Sequence, residues 1–78
     1  MEETMLLSQG KPGMSYTVER LNLPLRMEKR LECLGMTRGT AISVLNEKGK
    51  GILIVKIRGT RFALGRNITK NIAVREIG

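Results

Sequence analysis

The stretch of sequence that decides the fold is MEKRLECLGMTRG, from Met27 to Gly39. Within it Met27, Leu31 and Leu34 recur at i, i+4 and i+7, a spacing that places three large apolar side chains on one face of an α-helix. Gly35 follows the last of them, where helices commonly end in a left-handed residue that glycine adopts without steric cost. The stretch therefore predicts a short amphipathic helix, with Met27, Leu31 and Leu34 buried, that ends at a glycine.

The segment before this helix predicts how the helix begins. Asn22 is a preferred N-cap residue, and Pro24 is tolerated in a first turn because its missing N–H would have no partner there. We therefore expect the helix to run from about Leu25 to Leu34, after a strand within residues 14–21.

The rest of the chain has the pattern of short strands separated by glycine-rich turns. Further alternating or apolar runs predict strands within residues 41–45, 52–58, 61–64 and 72–76. Gly59-Thr60 suits a two-residue type II′ turn, in which glycine is preferred at the first position. We predict one all-β domain over residues 1–78: a small barrel of about five strands, with the helix between the first and second strands and residues 1–6 as a flexible lead-in.

The charge balance favours anionic partners, although the same excess can serve solubility alone. Fourteen basic residues against seven acidic ones give a net charge of +7, which suits nucleic acid or an acidic protein surface. The single cysteine cannot form an internal disulfide and fits a reducing compartment. The start of the chain has no signal-peptide pattern, and no apolar run is long enough to cross a bilayer. We expect a soluble, cytoplasmic protein without direct membrane insertion.

The residue types present argue against catalysis and against a metal site. The chain has neither His nor Asp, so the usual general base is absent and Cys33 has no base to activate it. Glu28 and Glu32 lie one helical turn apart, but the basic residues of the same short helix oppose binding of a divalent cation. Gly49 and Gly51 are not followed by a helix, which excludes a phosphate-binding loop. We expect no enzyme, no catalytic residue, no cofactor and no metal ligand set.

The remaining candidates for function are surfaces. Ile52 and Ile54 lie on the strand face opposite Leu53 and Val55, which suggests a protein contact or a self-association patch. Cover by the apolar residues of the lead-in, at positions 5–7, is an equal alternative. Nucleic acid binding lacks stacking platforms, since Phe62 is predicted to point inward.

Three segments together resemble the ferrous iron transport protein A (FeoA) family: LSQGKPG at 7–13, RLECLGMTRG at 30–39 and IRGTRFAL at 57–64. The most specific part is the helix-to-turn signature RLxxLGMTxG. A hairpin of the VxGxxxAL type follows, here with Ile57 in the valine position. The resemblance covers nearly the whole chain and implies an SH3-like barrel with a helix inserted after the first strand.

The same resemblance implies a small cytoplasmic accessory of FeoB, a membrane ferrous iron transporter that carries a GTPase domain. Members of the family are often labelled as transition metal ion binding, and here we carry that label over only as a process. A related domain ends some metal-responsive repressors, but this chain shows no DNA-binding helices, so a repressor is not expected. The alternative function is a basic nucleic-acid-binding SH3-like module.

Six residues are predicted to bind the partner, the cytoplasmic domain of the transporter. The arginines are Arg26, Arg30, Arg38 and Arg61, and the apolar residues are Ile52 and Ile54. The arginines would contact the partner or orient the helix against the barrel. The two isoleucines also allow a homo-oligomer.

Overall fold

The computed structural model describes residues 4–77 as one antiparallel sheet with two helices. The strands are β1 (Thr4–Leu6), β2 (Ser15–Leu21), β3 (Ala41–Lys48), β4 (Ile52–Ile57), β5 (Thr60–Leu64) and β6 (Ile72–Glu76). The helices are α1 (Leu25–Cys33) and α2 (Arg66–Thr69), and Leu7–Gln9 form a 3₁₀ turn. The strands pair in the order β1-β6-β2-β3-β4-β5. This confirms the predicted all-β fold with a helix inserted into it.

The additional strand comes from the lead-in. Thr4–Leu6 pair antiparallel with β6, with Met5 opposite Val74, and Leu7 directly after them is 0% exposed. The expected flexibility of residues 1–6 is therefore wrong for Thr4–Leu6, because ladder hydrogen bonds and the buried Leu7 hold them. Residues 1–3 lie outside the described part of the chain. As a result α1 lies between β2 and β3, and the described strands number six.

Helix α1 begins differently from the prediction. Its N-cap is Pro24, which makes no side-chain capping hydrogen bond. The backbone N–H of Asn22 instead donates to the carbonyl of Asn71 at 2.8 Å, which extends the β2–β6 pairing beyond the strands. Asn22 as the N-cap is therefore wrong, because this residue still belongs to the sheet connection.

Helix α1 ends as predicted at Gly35, in a Schellman motif. Gly35 has φ +98; its N–H donates to the Glu32 carbonyl, and the N–H of Met36 donates to the Leu31 carbonyl, both at 2.9 Å. This is the 5→2 and 6→1 pair that satisfies the last helical carbonyls. Met36 (1% exposed) and Leu31 (6%) are both buried as a result.

The predicted buried face of α1 is correct for only part of its length. Leu31 is buried and Met27 is half-buried, but Leu34 is 43% exposed. Leu34 is the C-cap residue, and the chain reverses immediately after it at Gly35. Met36, which follows that reversal, is buried in the core in place of Leu34.

The core lies on the inner face of the sheet. Its members are Leu7, Tyr16, Val18, Leu31, Met36, Ile42, Val44, Leu53, Val55, Ile57, Leu64, Ile72 and Val74. Tyr16 is buried without leaving its hydroxyl unpaired, because that hydroxyl accepts a hydrogen bond from the Lys11 N–H at 3.0 Å. Phe62 packs against this core from the edge, as the alternation in β5 predicted.

The β4–β5 turn is shifted by one residue from the prediction. Ile57 pairs with Thr60, so the two loop residues are Arg58 (φ +50) and Gly59 (φ +82). Positive φ at both positions defines a type I′ turn, in which asparagine or glycine is usual at the first position. The predicted type II′ turn over Gly59-Thr60 is wrong, because Arg58 adopts a backbone conformation that its sequence did not suggest.

The conformation at Gly35 predicts the cost of a side chain there. We expect Gly35→Ala to lower the free energy of unfolding by about 1–2 kcal/mol, since an L-residue at positive φ is strained. Its Cβ would also lie 3.3 Å from Arg58 Cδ. Urea denaturation of the two proteins measures the difference.

Gly39→Ala is the matched control. Gly39 has φ +89, but nothing lies within 4 Å of a Cβ built there. The Gly39→Ala variant therefore measures the cost of backbone strain without a side-chain contact such as the one to Arg58. Gly35→Ala should therefore destabilise more than Gly39→Ala. A loss below about 0.5 kcal/mol for Gly35→Ala, the range of ordinary surface substitutions, would contradict the role of the helix stop.

Candidate partner-binding surface

The structure places the predicted partner-binding residues on three elements, α1, β4 and β5, and one turn. Arg26 and Arg30 lie one helical turn apart on α1, and both are exposed. Because they are i and i+4, they project from the same side of the helix. Neither makes an ion pair within the described residues. Two guanidinium groups are therefore available to an anionic partner on this helix.

Ile52, Ile54 and Arg61 lie together on the outer face of β4 and β5. Leu53, Val55 and Ile57 point into the core, so the alternate residues of β4 face outward. Ile54 is opposite Ala63, and Lys56 is opposite Arg61. Ile52 is 43% exposed. We call the set Ile52, Ile54, Lys56, Arg61 and Ala63 the outer patch.

The lead-in does not cover the outer patch. Strand β1 pairs with β6 and not with β4 or β5, Met5 packs against the core and Leu7 belongs to it. Of the two interpretations offered for Ile52 and Ile54, cover by residues 5–7 is therefore wrong. Partner contact and self-association remain predictions.

Arg38 lies apart from the outer patch. It lines a cleft of about 560 Å³ at the β1–β6–β2 end of the sheet. The other residues of the cleft are Thr4, Glu19, Arg20, Leu21, Glu28, Glu32 and Ala73. Glu19 also pairs with Arg75, with Nε 3.0 Å from Oε1. The cleft thus combines both signs of charge, and Arg38 shares it with three glutamates and with none of the other predicted arginines.

Arg58 joins the β4–β5 turn to the end of α1. A methyl group built on Gly35 would meet Arg58 Cδ at 3.3 Å and Nε at 3.7 Å, so the Arg58 side chain crosses the helix stop. A cation beside the carboxyl end of a helix is favourable, because the last carbonyls carry partial negative charge. Arg58 thereby links the element that carries Arg30 to the hairpin that carries Arg61.

Arg58 was not among the residues predicted to bind the partner. The distribution of acids along the chain gives a second signal: from position 48 to position 75 there is no Asp or Glu. The basic residues of that segment are Lys48, Lys50, Lys56, Arg58, Arg61, Arg66, Lys70 and Arg75. A count of net charge by segment would have assigned the positive charge to the β4–β5–α2 half of the domain.

The described residues contain neither a cluster of metal ligands nor a membrane-spanning helix. Within residues 4–77 no group of three or more His, Cys, Asp or Glu side chains could hold a metal. Cys33 is exposed and has no disulfide partner. In the same range, no helix is long and apolar enough to cross a membrane.

Three solved structures with more than a quarter of positions identical have this fold. An iron uptake regulatory protein (FeoA) shares 28% identity at a TM-score of 0.85, covering 96% of this chain and 99% of that chain. FeoA from Chlorobium tepidum shares 28% identity at a TM-score of 0.88, covering 95% and 71%. FeoA from Stenotrophomonas maltophilia, solved with zinc and described as an SH3 domain protein, shares 29% identity at a TM-score of 0.76, covering 90% and 88%.

The fold also occurs inside larger chains. A manganese-dependent transcriptional repressor matches at a TM-score of 0.86 and 20% identity, and the match covers 44% of that chain; at this identity the likeness concerns the fold alone. A comparison with curated proteins finds no match. The model of the FeoA domain matches residues 5–76, and this chain therefore belongs to the FeoA domain family.

Proposed function

We propose that the protein is a non-enzymatic, cytoplasmic accessory of ferrous iron uptake that binds the cytoplasmic part of a membrane ferrous iron transporter of the FeoB type. The observation that carries this proposal is the FeoA domain over residues 5–76. The similar FeoA from Stenotrophomonas maltophilia is described as a candidate ferrous iron transport activating factor, and another FeoA as an iron uptake regulatory protein. FeoA is not known as a family of enzymes.

The surface of α1 suits such a contact. Arg26 and Arg30 are exposed and free of ion pairs within the described chain, so binding does not first have to break an internal pair. Arginine presents several donors in a planar fork that matches carboxylates, and it is enriched among residues that carry binding energy. The Schellman stop holds the C-terminal end of α1 against the core through Met36. The arginines are thus presented on a firmly anchored element.

A resident metal ion does not fit the residues that are present. Strong side-chain donors are limited to Cys33 and the glutamates, because the chain contains no His or Asp. The zinc in the Stenotrophomonas maltophilia structure belongs to that protein. The proposed function therefore rests on protein binding and requires no metal held by this chain.

Reversal of one charge on α1 tests the proposed contact. We expect wild-type protein to bind the purified cytoplasmic domain of the transporter saturably, and Arg30→Glu to weaken that binding by about tenfold. The substitution leaves the fold intact because the side chain is exposed. Isothermal titration calorimetry gives the affinity, and circular dichroism confirms the fold.

Lys11→Glu is the matched control for charge. Lys11 is exposed in the loop before β2, and its hydrogen bond to Tyr16 uses the backbone N–H, so the substitution changes the net charge equally without touching α1. If Lys11→Glu lost as much affinity as Arg30→Glu, the loss would be due to net charge and not to a contact at Arg30. No binding of wild-type protein to any cytoplasmic part of the transporter would overturn the proposed function.

Thermal melts test the absence of a resident metal. A ligand at 100 times its Kd stabilises a folded protein by about 2.7 kcal/mol, which raises the Tm of a chain of this size by roughly 10 °C or more. We expect Zn²⁺ or Fe²⁺, the latter added without oxygen, to leave Tm unchanged relative to a chelator-treated sample. A Tm that rises with metal concentration would contradict this prediction.

A further inference from the structure

The last strand of the sheet order, β5, has one partner only. Within the described residues it pairs with β4, from Leu53 opposite Leu64 to Ile57 opposite Thr60, and it ends the strand order. Among residues 4–77 no strand pairs with its second edge. An unpaired edge is the feature to which an extended peptide adds as a further strand.

The turn geometry defines which backbone groups are free on that edge. In a two-residue type I′ hairpin the residues that flank the loop, here Ile57 and Thr60, form a hydrogen-bonded pair. Because bonded and non-bonded pairs alternate, Thr60, Phe62 and Leu64 direct their backbone groups toward β4. Arg61 and Ala63 direct theirs outward. Two N–H donors and two carbonyl acceptors are thus available in register for an added strand.

The side chains beside this edge select the chemistry of the added strand. Arg61 and Ala63 are exposed and belong to the outer patch, where Lys56 lies opposite Arg61 and Ile54 lies opposite Ala63. The patch therefore has apolar positions next to cationic positions. An added strand would place an acidic side chain beside Arg61 and an apolar one beside Ala63.

The charges also exclude a second copy as the occupant. The eight basic residues from Lys48 to Arg75 have no acidic residue among them. Pairing of β5 with β5 of another copy would bring Arg61 and Lys56 close to their own like charges, which is destabilising. Basic residues on an edge strand commonly prevent such self-pairing, and the same residues attract an acidic segment.

We propose that the edge of β5 binds an extended acidic polypeptide segment, which adds as a strand beside Arg61 and Ala63 and pairs its carboxylates with Arg61 and Lys56. The proposal does not depend on the transporter as the partner, because it concerns the chemistry of one edge. A nucleic acid is less suitable: Tyr16 is 2% exposed and Phe62 packs on the core, so the edge lacks exposed aromatic rings for bases to stack on.

A synthetic peptide tests the proposal directly. The probe is a capped seven-residue peptide with glutamate and valine alternating at every second position and threonine between them, so that both side-chain types lie on one face of the added strand; it is titrated into ¹⁵N-labelled protein at low salt. We expect saturable shifts centred on the amides of Arg61 and Ala63, slower hydrogen exchange at those amides, and weaker binding as salt rises. Shifts confined to α1, or no shifts at all, would overturn the proposal.

Two peptide controls separate strand addition from simple charge attraction. The same peptide with N-methylated backbone amides keeps its charge but loses donors, and it should bind at least about tenfold more weakly. A peptide with lysine in place of glutamate should not bind. If the methylated peptide bound as tightly as the unmethylated one, binding would be due to charge attraction alone, and the proposed strand addition would be overturned. A single-stranded oligothymidine of equal charge is the last control. If it bound more tightly than the peptide, the edge would be a nucleic-acid-binding surface and the proposal would be overturned.

Two variants of the protein separate strand addition from charge attraction in the same way. Ala63→Pro removes one outward N–H without removing a bond to β4, and edge strands tolerate proline at such positions. Arg61→Glu reverses the selecting charge. Each should weaken peptide binding by about tenfold, whereas Lys11→Glu, with the same charge change, should have little effect. Full affinity in either edge variant would contradict the proposal, and neither result bears on Arg30 or the transporter.

Discussion

The reversal of the chain at Gly35 is the constraint on which the arrangement of this domain depends. With φ +98 at Gly35, the Met36 N–H reaches back to the Leu31 carbonyl, and both side chains enter the core beneath α1. An L-residue would resist that backbone conformation. The same glycine leaves room for Arg58 to cross the helix stop from the β4–β5 turn. One residue without a Cβ therefore connects the helix, the core and the hairpin.

The charge of the domain is unevenly distributed, and this bears on both proposals. All described carboxylates lie outside the segment from Lys48 to Arg75, and three of them, Glu19, Glu28 and Glu32, line the cleft that Arg38 also faces. The outer patch by contrast contains no acidic residue, whereas Glu28 and Glu32 lie between and after the arginines of α1. The two surfaces proposed for binding, the arginines of α1 and the edge of β5, lie on elements that meet where Arg58 crosses Gly35.

Most of the fold followed from local patterns, and the differences have local physical causes. The helix, its glycine stop and the two faces of β4 were predicted from spacing, because residues buried on one side of a helix or strand recur at a fixed interval. The lead-in strand was missed, since three residues are too short to show alternation. The turn was misplaced because Arg58 at positive φ breaks the usual preference for glycine or asparagine. Leu34 was assigned to the core because helical spacing alone does not show that the chain reverses at the next residue.

The sequence by itself determined the class of the domain and its family, because both depend on residue identity and spacing. The tertiary structure alone decided which surfaces the residues form. It separated Arg38 from Arg61, brought Arg58 onto Gly35 and left the edge of β5 unpaired, since strand order and turn register arise from contacts between distant segments. The stretch from Met27 to Gly39 shows both contributions. Its spacing predicts the helix from sequence, and only the packing of the tertiary structure places Met36 rather than Leu34 in the core.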